Sequence, residues 1–248
     1  MLNKIIVIGS GNSGSGAVFD YLSSQKSNLS FLNGKEFRII HDPDGLTDLY
    51  INNYVNFSIN NSASAFERFK KVLDKFEKKN KQKKLRPVFK KFFNKVIRLN
   101  YNAYPEFYKN RIYFKKKLNF YVNRVVFKKK IKELELMNMT LPVEEKKFIK
   151  ESQILINNII KIIHKNNIKF KNVIFNQSAN YWNINLSTKF FDNKKIIIVD
   201  RDPRSIFWSM KRTEAFSYPG HDVNTFIKWY KEIQIKFDKN IKNKNKIL

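Results

Sequence analysis

The chain has 248 residues, no cysteine, and 49 Lys and Arg against 21 Asp and Glu, for a formal net charge of +28. That length admits one sizeable α/β domain or two small ones. The lack of Cys excludes disulfides, a thiolate nucleophile and Cys-based metal sites. No run of about 18 apolar residues is present, so no membrane-spanning helix is expected. The start lacks the apolar stretch and small-residue cleavage site of a secretory signal, and a cytoplasmic location is the expectation. So large a positive charge draws polyanions: nucleic acid, an anionic membrane surface or an acidic glycan. The excess is mostly Lys in a chain also rich in Asn, Ile and Phe, as AT-rich codons produce, so charge alone selects none of these.

In chain order, KIIVI at 4–8 is a short apolar run ending at Gly9, which predicts a buried parallel strand. The chain holds only 7 glycines, and Gly9, Gly11, Gly14 and Gly16 fall together in GSGNSGSG, residues 9–16. A helix is expected over 14–25, with Ala17, Val18, Tyr21 and Leu22 at helical spacing. LSFLN, 29–33, reads as a second strand. The loop GKEFRIIHDPDG, 34–45, follows and closes on the turn signal Asp42-Pro43-Asp44-Gly45.

From about 62 to 165 the pattern changes to Phe66, Phe69, Val72, Leu73 and Phe76 at helical spacing, with Lys between them. A long helix is expected from Glu144 to Lys165, apolar at Phe148, Ile154, Leu155, Ile159, Ile162 and Ile163. This section reads as a large, basic helical insertion in a single α/β domain spanning 1–248. Strands resume at NVIFN, 172–176, and at KKIIIVD, 194–200; the second, continuously apolar, is expected at the centre of the sheet. Helices are expected over about 203–211 and over 223–237. Trp182, Trp208 and Trp229 are expected in the core. The final NKNKIL reads as the opening of a further strand, so the domain is expected to be truncated or unusually short. Strand–helix alternation at both ends gives a parallel sheet flanked by helices.

The glycine cluster fits two nucleotide motifs in part. Gly9-x-Gly11-x-x-Gly14 matches the dinucleotide fingerprint, with Glu36 as the downstream acid, which implies an NAD- or FAD-binding oxidoreductase. Gly9-x4-Gly14 has Walker A spacing, but Ser15 and Gly16 stand where Lys and Ser/Thr belong, so triphosphate hydrolysis is not expected. At the other end, a strand leads into Arg201-Asp202-Pro203-Arg204 and a helix carrying Ser209. A cation at a strand end and a hydroxyl on the next helix can grip one phosphate.

Taken together, these two segments resemble the sulfotransferases that use 3′-phosphoadenosine-5′-phosphosulfate, in particular bacterial enzymes of surface-glycan clusters. The resemblance covers about 1–50 and 170–235 and implies a P-loop-type sheet. It implies that Gly9, Ser10, Gly11, Asn12, Ser13, Gly14, Ser15 and Gly16 cradle the 5′ phosphosulfate, and that Arg201 and Ser209 bind the 3′-phosphate. It further implies transfer of a sulfuryl group, without a metal, to a hydroxyl of a carbohydrate or lipid-linked glycan. The dense Lys of the insertion suits an acidic acceptor or an anionic membrane nearby. No nucleic-acid recognition signature is present, so nucleic acid is not expected as a partner.

The chemistry needs loop amides on the phosphate, a positive group at the bridging oxygen and a base for the acceptor. Asn12 stands where the family carries Lys or Arg; it donates hydrogen bonds but brings no charge. Lys35, Arg204 or a Lys of the insertion would have to supply it, or the chain is a non-catalytic nucleotide-binding relative. Where some members place a His after the third strand, this chain reads Asn176-Gln177-Ser178-Ala179. Others use the Glu of a Lys-Glu pair after the second strand, which makes Glu36 of Lys35-Glu36 the expected base and His41 the second choice. His164 and His221 are expected at structural or surface positions.

Overall fold

The computed structural model describes residues 2–103, 118, 121–128, 137–164, 170–213 and 218–242. Four strands form one parallel sheet: β1 (Asn3–Gly9), β2 (Asn28–Ser30), β5 (Asn172–Asn176) and β6 (Lys194–Val199), in the order β2-β5-β1-β6. Register is in phase at the base, with Asn3 opposite Asn172, and at the top, with Gly9 opposite Val199. Strands β1 and β5 are central, and Ile6, Val7, Ile8, Val173, Ile174 and Phe175 are all fully buried. That is why these runs are apolar on both faces rather than alternating.

Each face has its own cover. Val7 and Ile174 pack with Phe19 of α1 (Ser15–Ser24). Ile6, Ile8, Val173 and Phe175 face the larger core, built with the middle of the chain. Three helices supply most of it: α3 (Ile59–Asn80), α4 (Leu85–Val96) and α5 (Glu145–Ile163), preceded by the short α2 (Leu46–Tyr50). Their Phe and Leu stripe is buried as the spacing predicts, with Phe69, Leu73, Phe148 and Ile159 sealed from solvent. Ser58 caps α3 by accepting from the Asn61 N–H at 3.0 Å.

Five expectations are corrected. The middle segment is not helical throughout: β3 (Ile97–Ala103) and β4 (Met137–Pro142) pair as an antiparallel ribbon, from Ile97 opposite Pro142 to Ala103 opposite Met137. Both strands alternate apolar and polar residues, IRLNYNA over 97–103 and MNMTLP over 137–142, a period of two that the helical reading of the whole segment passed over. Ile154, expected on the apolar face of its helix, is 39% exposed, and Trp208, expected in the core, is 67% exposed with the Lys211 ammonium 5.6 Å from its ring centroid. LSFLN divides: Asn28–Ser30 is the strand, and Phe31–Gly34 is a tight turn in which Leu32 and Asn33 take positive φ. KKIIIVD is the edge strand among the described residues, with Ile196 to Val199 half-buried. An apolar run reports cover on both faces, which β6 has, and says nothing of a hydrogen-bonded neighbour. Residues 104–117 and 165, within the expected insertion, and NKNKIL lie outside the described residues.

Two helices complete the chain's described part, α6 (Pro203–Thr213) and α7 (Val223–Lys242). They close on a small cluster of Ile206, Met210 and Phe226.

Candidate functional site

The glycine loop leaves the top of β1 and turns into α1. Gly9 has no room for a side chain: a Cβ there would collide with the Ser13 hydroxyl and sit 2.8 Å from the Val199 carbonyl of β6. The turn closes when the Ser13 N–H donates to the Ser10 carbonyl at 3.1 Å. Asn12 takes φ 62 and Gly14, which precedes α1, takes φ 90. These are left-handed conformations that Asn and Gly tolerate best. Position 12 therefore has a conformational reason to be Asn.

The loop is rich in donors that nothing satisfies. No side chain caps α1, and N–H groups of a first helical turn have no intrahelical acceptor. Ser10 and Ser13 are 1% and 3% exposed, and neither hydroxyl has a hydrogen-bond partner; the Asn12 side-chain amide nitrogen is likewise buried and unpaired. Buried polar groups are normally paired, so three together in one turn mark a place shaped for something else. Uncapped N–H groups and the positive end of a helix dipole favour an anion. A Cβ added at Gly14 or Gly16 would meet nothing, so the space above the helix start is open.

Neighbouring elements frame this loop. The Gln177 N–H donates to the Val7 carbonyl at 2.9 Å, and the Gln177 side-chain amide donates to Ser15 Oγ at 2.7 Å. Tyr218 lies over Gly11, where a Cβ would stand 2.5 Å from the ring's Cζ, and Tyr218 packs edge-on against Trp229 of α7. Neither residue follows from the motifs. The signals present were Gln177 directly after an apolar strand and Tyr218-Pro219-Gly220, a scarce glycine in a turn; Gly220 packs against the backbone of Met210.

Arg201 follows β6, adjacent to β1, so it stands at the same sheet edge as the glycine loop. Its side chain is exposed and has no protein partner among the described residues, while its N–H donates to Asp200 Oδ1 at 2.8 Å. Ser209 lies in the second turn of α6, half-buried. Arg204 does not offer a free cation. Its guanidinium donates to both Asp202 oxygens, at 3.0 and 2.6 Å, and this pairing holds the Asp202 carboxyl down at about 2.

The loop after β2 carries both candidate bases. Glu36 is exposed and accepts from Arg38 at 2.9 Å; Arg38 also donates to Asp42 at 2.7 Å. His41 Nε2 lies 3.9 Å from Asp42 Oδ1, and its Nδ1 is buried without a partner. Burial lowers the His41 pKa, against the Asp42 charge that raises it. The backbone of Ser178, next to Gln177, also bears on this ring. Thus Glu36 and His41 are joined through Arg38 and Asp42, and His41 reaches the residue beside the glycine-loop contact. His164 is half-buried, with its pKa lowered by burial.

Among the described residues, no group of three or more His, Asp or Glu side chains is assembled that could hold a metal ion. Comparison with protein-family models, curated proteins and solved structures returns no match to this chain.

Proposed function

We propose that this chain is a sulfotransferase that moves a sulfuryl group from 3′-phosphoadenosine-5′-phosphosulfate to a hydroxyl of a carbohydrate or glycolipid. The observation that carries the reading is the uncapped glycine loop with buried, unpartnered Ser10 and Ser13 hydroxyls, beside a strand ending in Arg201. A sheet of P-loop type is the finer description that fits. The glycine-loop strand lies between parallel neighbours, and β5 separates it from the strand that follows its helix.

That order weighs against the dinucleotide alternative. In the dinucleotide fold, the strand after the first helix lies beside the first strand and its terminal acid reaches the ribose. Here β2 is two strands, roughly 10 Å, from β1, and Glu36 is held by Arg38.

In the proposed reaction the acceptor oxygen attacks sulfur, the bond from sulfur to the bridging phosphate oxygen breaks, and adenosine 3′,5′-bisphosphate leaves. Loop amides and hydroxyls hold the 5′-phosphate, and Arg201 with Ser209 holds the 3′-phosphate. The acceptor proton goes to a base. Glu36 is paired with Arg38 while His41 carries a buried, unpartnered Nδ1, which favours His41 over Glu36 as that base.

Calorimetric titration with adenosine 3′,5′-bisphosphate and with NAD tests the reading. The bisphosphate is expected to bind and Arg201→Ala to weaken it by roughly tenfold or more, Ser209→Ala by less. Binding of NAD with none of the bisphosphate sinks the proposal. Binding without turnover of the phosphosulfate on any glycan acceptor would favour the non-catalytic relative, for which Asn12 in place of a cation is the motivating residue. His41→Gln and Glu36→Gln, compared in rate, decide the base.

A further inference from the structure

The residue that follows β5 is held in a conformation its type does not prefer. Gln177 takes φ 44, in the left-handed region where Gly and Asn are at ease and longer side chains are uncommon. Its N–H donates to the Val7 carbonyl at 2.9 Å, which carries the pairing of β5 with β1 one residue beyond the strand. The side chain then crosses to the glycine loop. Its amide nitrogen stands 2.7 Å from Ser15 Oγ and 3.5 Å from the Gly9 carbonyl oxygen. A strained residue that persists beside a candidate site raises the question of what its side chain does there.

The sense of this hydrogen bond is set by its partners. A carbonyl oxygen only accepts, so the amide nitrogen of Gln177, not its oxygen, faces Gly9. That nitrogen has no lone pair to offer. Ser15 Oγ therefore accepts from it and keeps its own proton for another acceptor. A serine inside a helix commonly sends that proton to the carbonyl four residues back. Ser15 is the first residue of α1, with no helical turn behind it, and it is buried. Among the described residues its hydroxyl has Gln177 as its hydrogen-bond partner and donates to no acceptor. The Ser10 and Ser13 hydroxyls and the Asn12 amide nitrogen are unpaired in the same turn. Ser15 adds to them a donor whose role is fixed in advance.

We infer that Gln177 is a positioning residue, which holds the Ser15 hydroxyl as a hydrogen-bond donor to a phosphate oxygen bound in the glycine loop. The inference rests on the anion-binding part of the function proposed above, and not on which nucleotide carries the phosphate. Its consequence is selectivity. A ligand oxygen that accepts is matched at this point, whereas a group that can only donate, such as an ammonium, meets another donor. The left-handed backbone of Gln177 is the means by which a side chain from β5 reaches the start of α1.

Calorimetric titration of the full chain with inorganic pyrophosphate, and separately with adenosine 3′,5′-bisphosphate, tests it. Gln177→Met keeps the length of the side chain and removes its hydrogen bonds; it is expected to weaken pyrophosphate binding about fivefold. Ser15→Ala is expected to weaken it to a similar degree. Adding Gln177→Met to Ser15→Ala should then cost no more than about twofold, a coupling that a merely structural Gln177 would not produce. Gln177→Gly, whose backbone is unstrained at this φ, repeats the comparison: it should bind as weakly as Gln177→Met while melting close to the wild type. Unchanged affinity in Gln177→Met, or equal weakening with and without the Ser15 hydroxyl, overturns the inference. So does pyrophosphate binding that Ser15→Ala leaves intact, which would mean that the net charge collects the anion elsewhere. Coupled loss of pyrophosphate in a protein that does not bind the bisphosphate would sink the donor proposed above and leave this inference standing. Binding of neither ligand ends both.

Discussion

The two ends of the parallel sheet are built from similar residues to opposite effect. At the amino ends, a file of asparagines crosses the sheet. Asn193 donates to Asn3 at 2.8 Å, Asn3 to Asn172 at 3.0 Å, Asn172 to Asn28 at 2.7 Å and Asn28 to the Leu22 carbonyl at 2.8 Å. Beside them Lys4, 1% exposed, donates to Asp192, whose other oxygen accepts from Asn157 at 3.1 Å. At the carboxyl ends, Ser10, Ser13, Asn12 and His41 keep buried polar atoms unpaired, as does Asn176 Oδ1. An unpaired buried group costs about 1–3 kcal/mol, so satisfaction at one end and its lack at the other separates scaffold from site.

The largest effect is expected at the satisfied end. Asp192→Asn removes the charge that compensates buried Lys4. Breaking a buried pair from one side is strongly destabilising; with Asp192 a quarter exposed, about 2–3 kcal/mol is expected in urea unfolding. Adding Lys4→Met, which removes the stranded charge, should recover most of the loss. If Asp192→Asn costs nothing, the base of the sheet is not the rigid half.

At the open end the same kind of truncation should behave differently. Ser13→Ala deletes a buried hydroxyl that has no partner, so the free protein should keep its stability or gain up to about 1 kcal/mol. Its affinity for adenosine 3′,5′-bisphosphate should fall several-fold, because the lost group is one the ligand would satisfy. Loss of stability without loss of affinity would show the hydroxyl to be structural, and the contrast between the two ends would collapse.

How much of this was legible in the sequence follows from what each signal measures. The strands at 4–8 and 172–176 were visible because burial on both faces demands unbroken apolar runs, and α1 because its apolar residues recur at helical spacing. The glycine loop was visible because the chain spends glycine so sparingly. Lys4 was hidden inside an apolar run: its partner Asp192 lies far along the chain, and a buried cation is legible only once its counter-charge is placed. Edge and centre were indistinguishable for β6, since apolar side chains report faces and not neighbours. The link from Gln177 to Ser15 and the place of Tyr218 over Gly11 depend on strand order, which no local pattern encodes.

The smallest expected effect is a pH dependence that falls more on one end than the other. His41 and His164 both have pKa values lowered, His41 chiefly and His164 wholly by burial. The unfolded chain, with imidazoles near pH 6.5, then takes up protons more readily than the folded one. Their contribution to stability is complete above that pH and is lost as pH falls through 6.5 toward the lower folded values. Melting temperature should therefore decline between about pH 7 and pH 5. His41→Gln should flatten part of that decline, and a His164→Gln change the remainder. The Lys4–Asp192 pair should not contribute in this window, since Asp192, against its burial, has its pKa lowered below the ordinary carboxylate value by Lys4 and Asn157. A pH profile unchanged by His41→Gln would mean that burial does not hold the His41 pKa below its unfolded value.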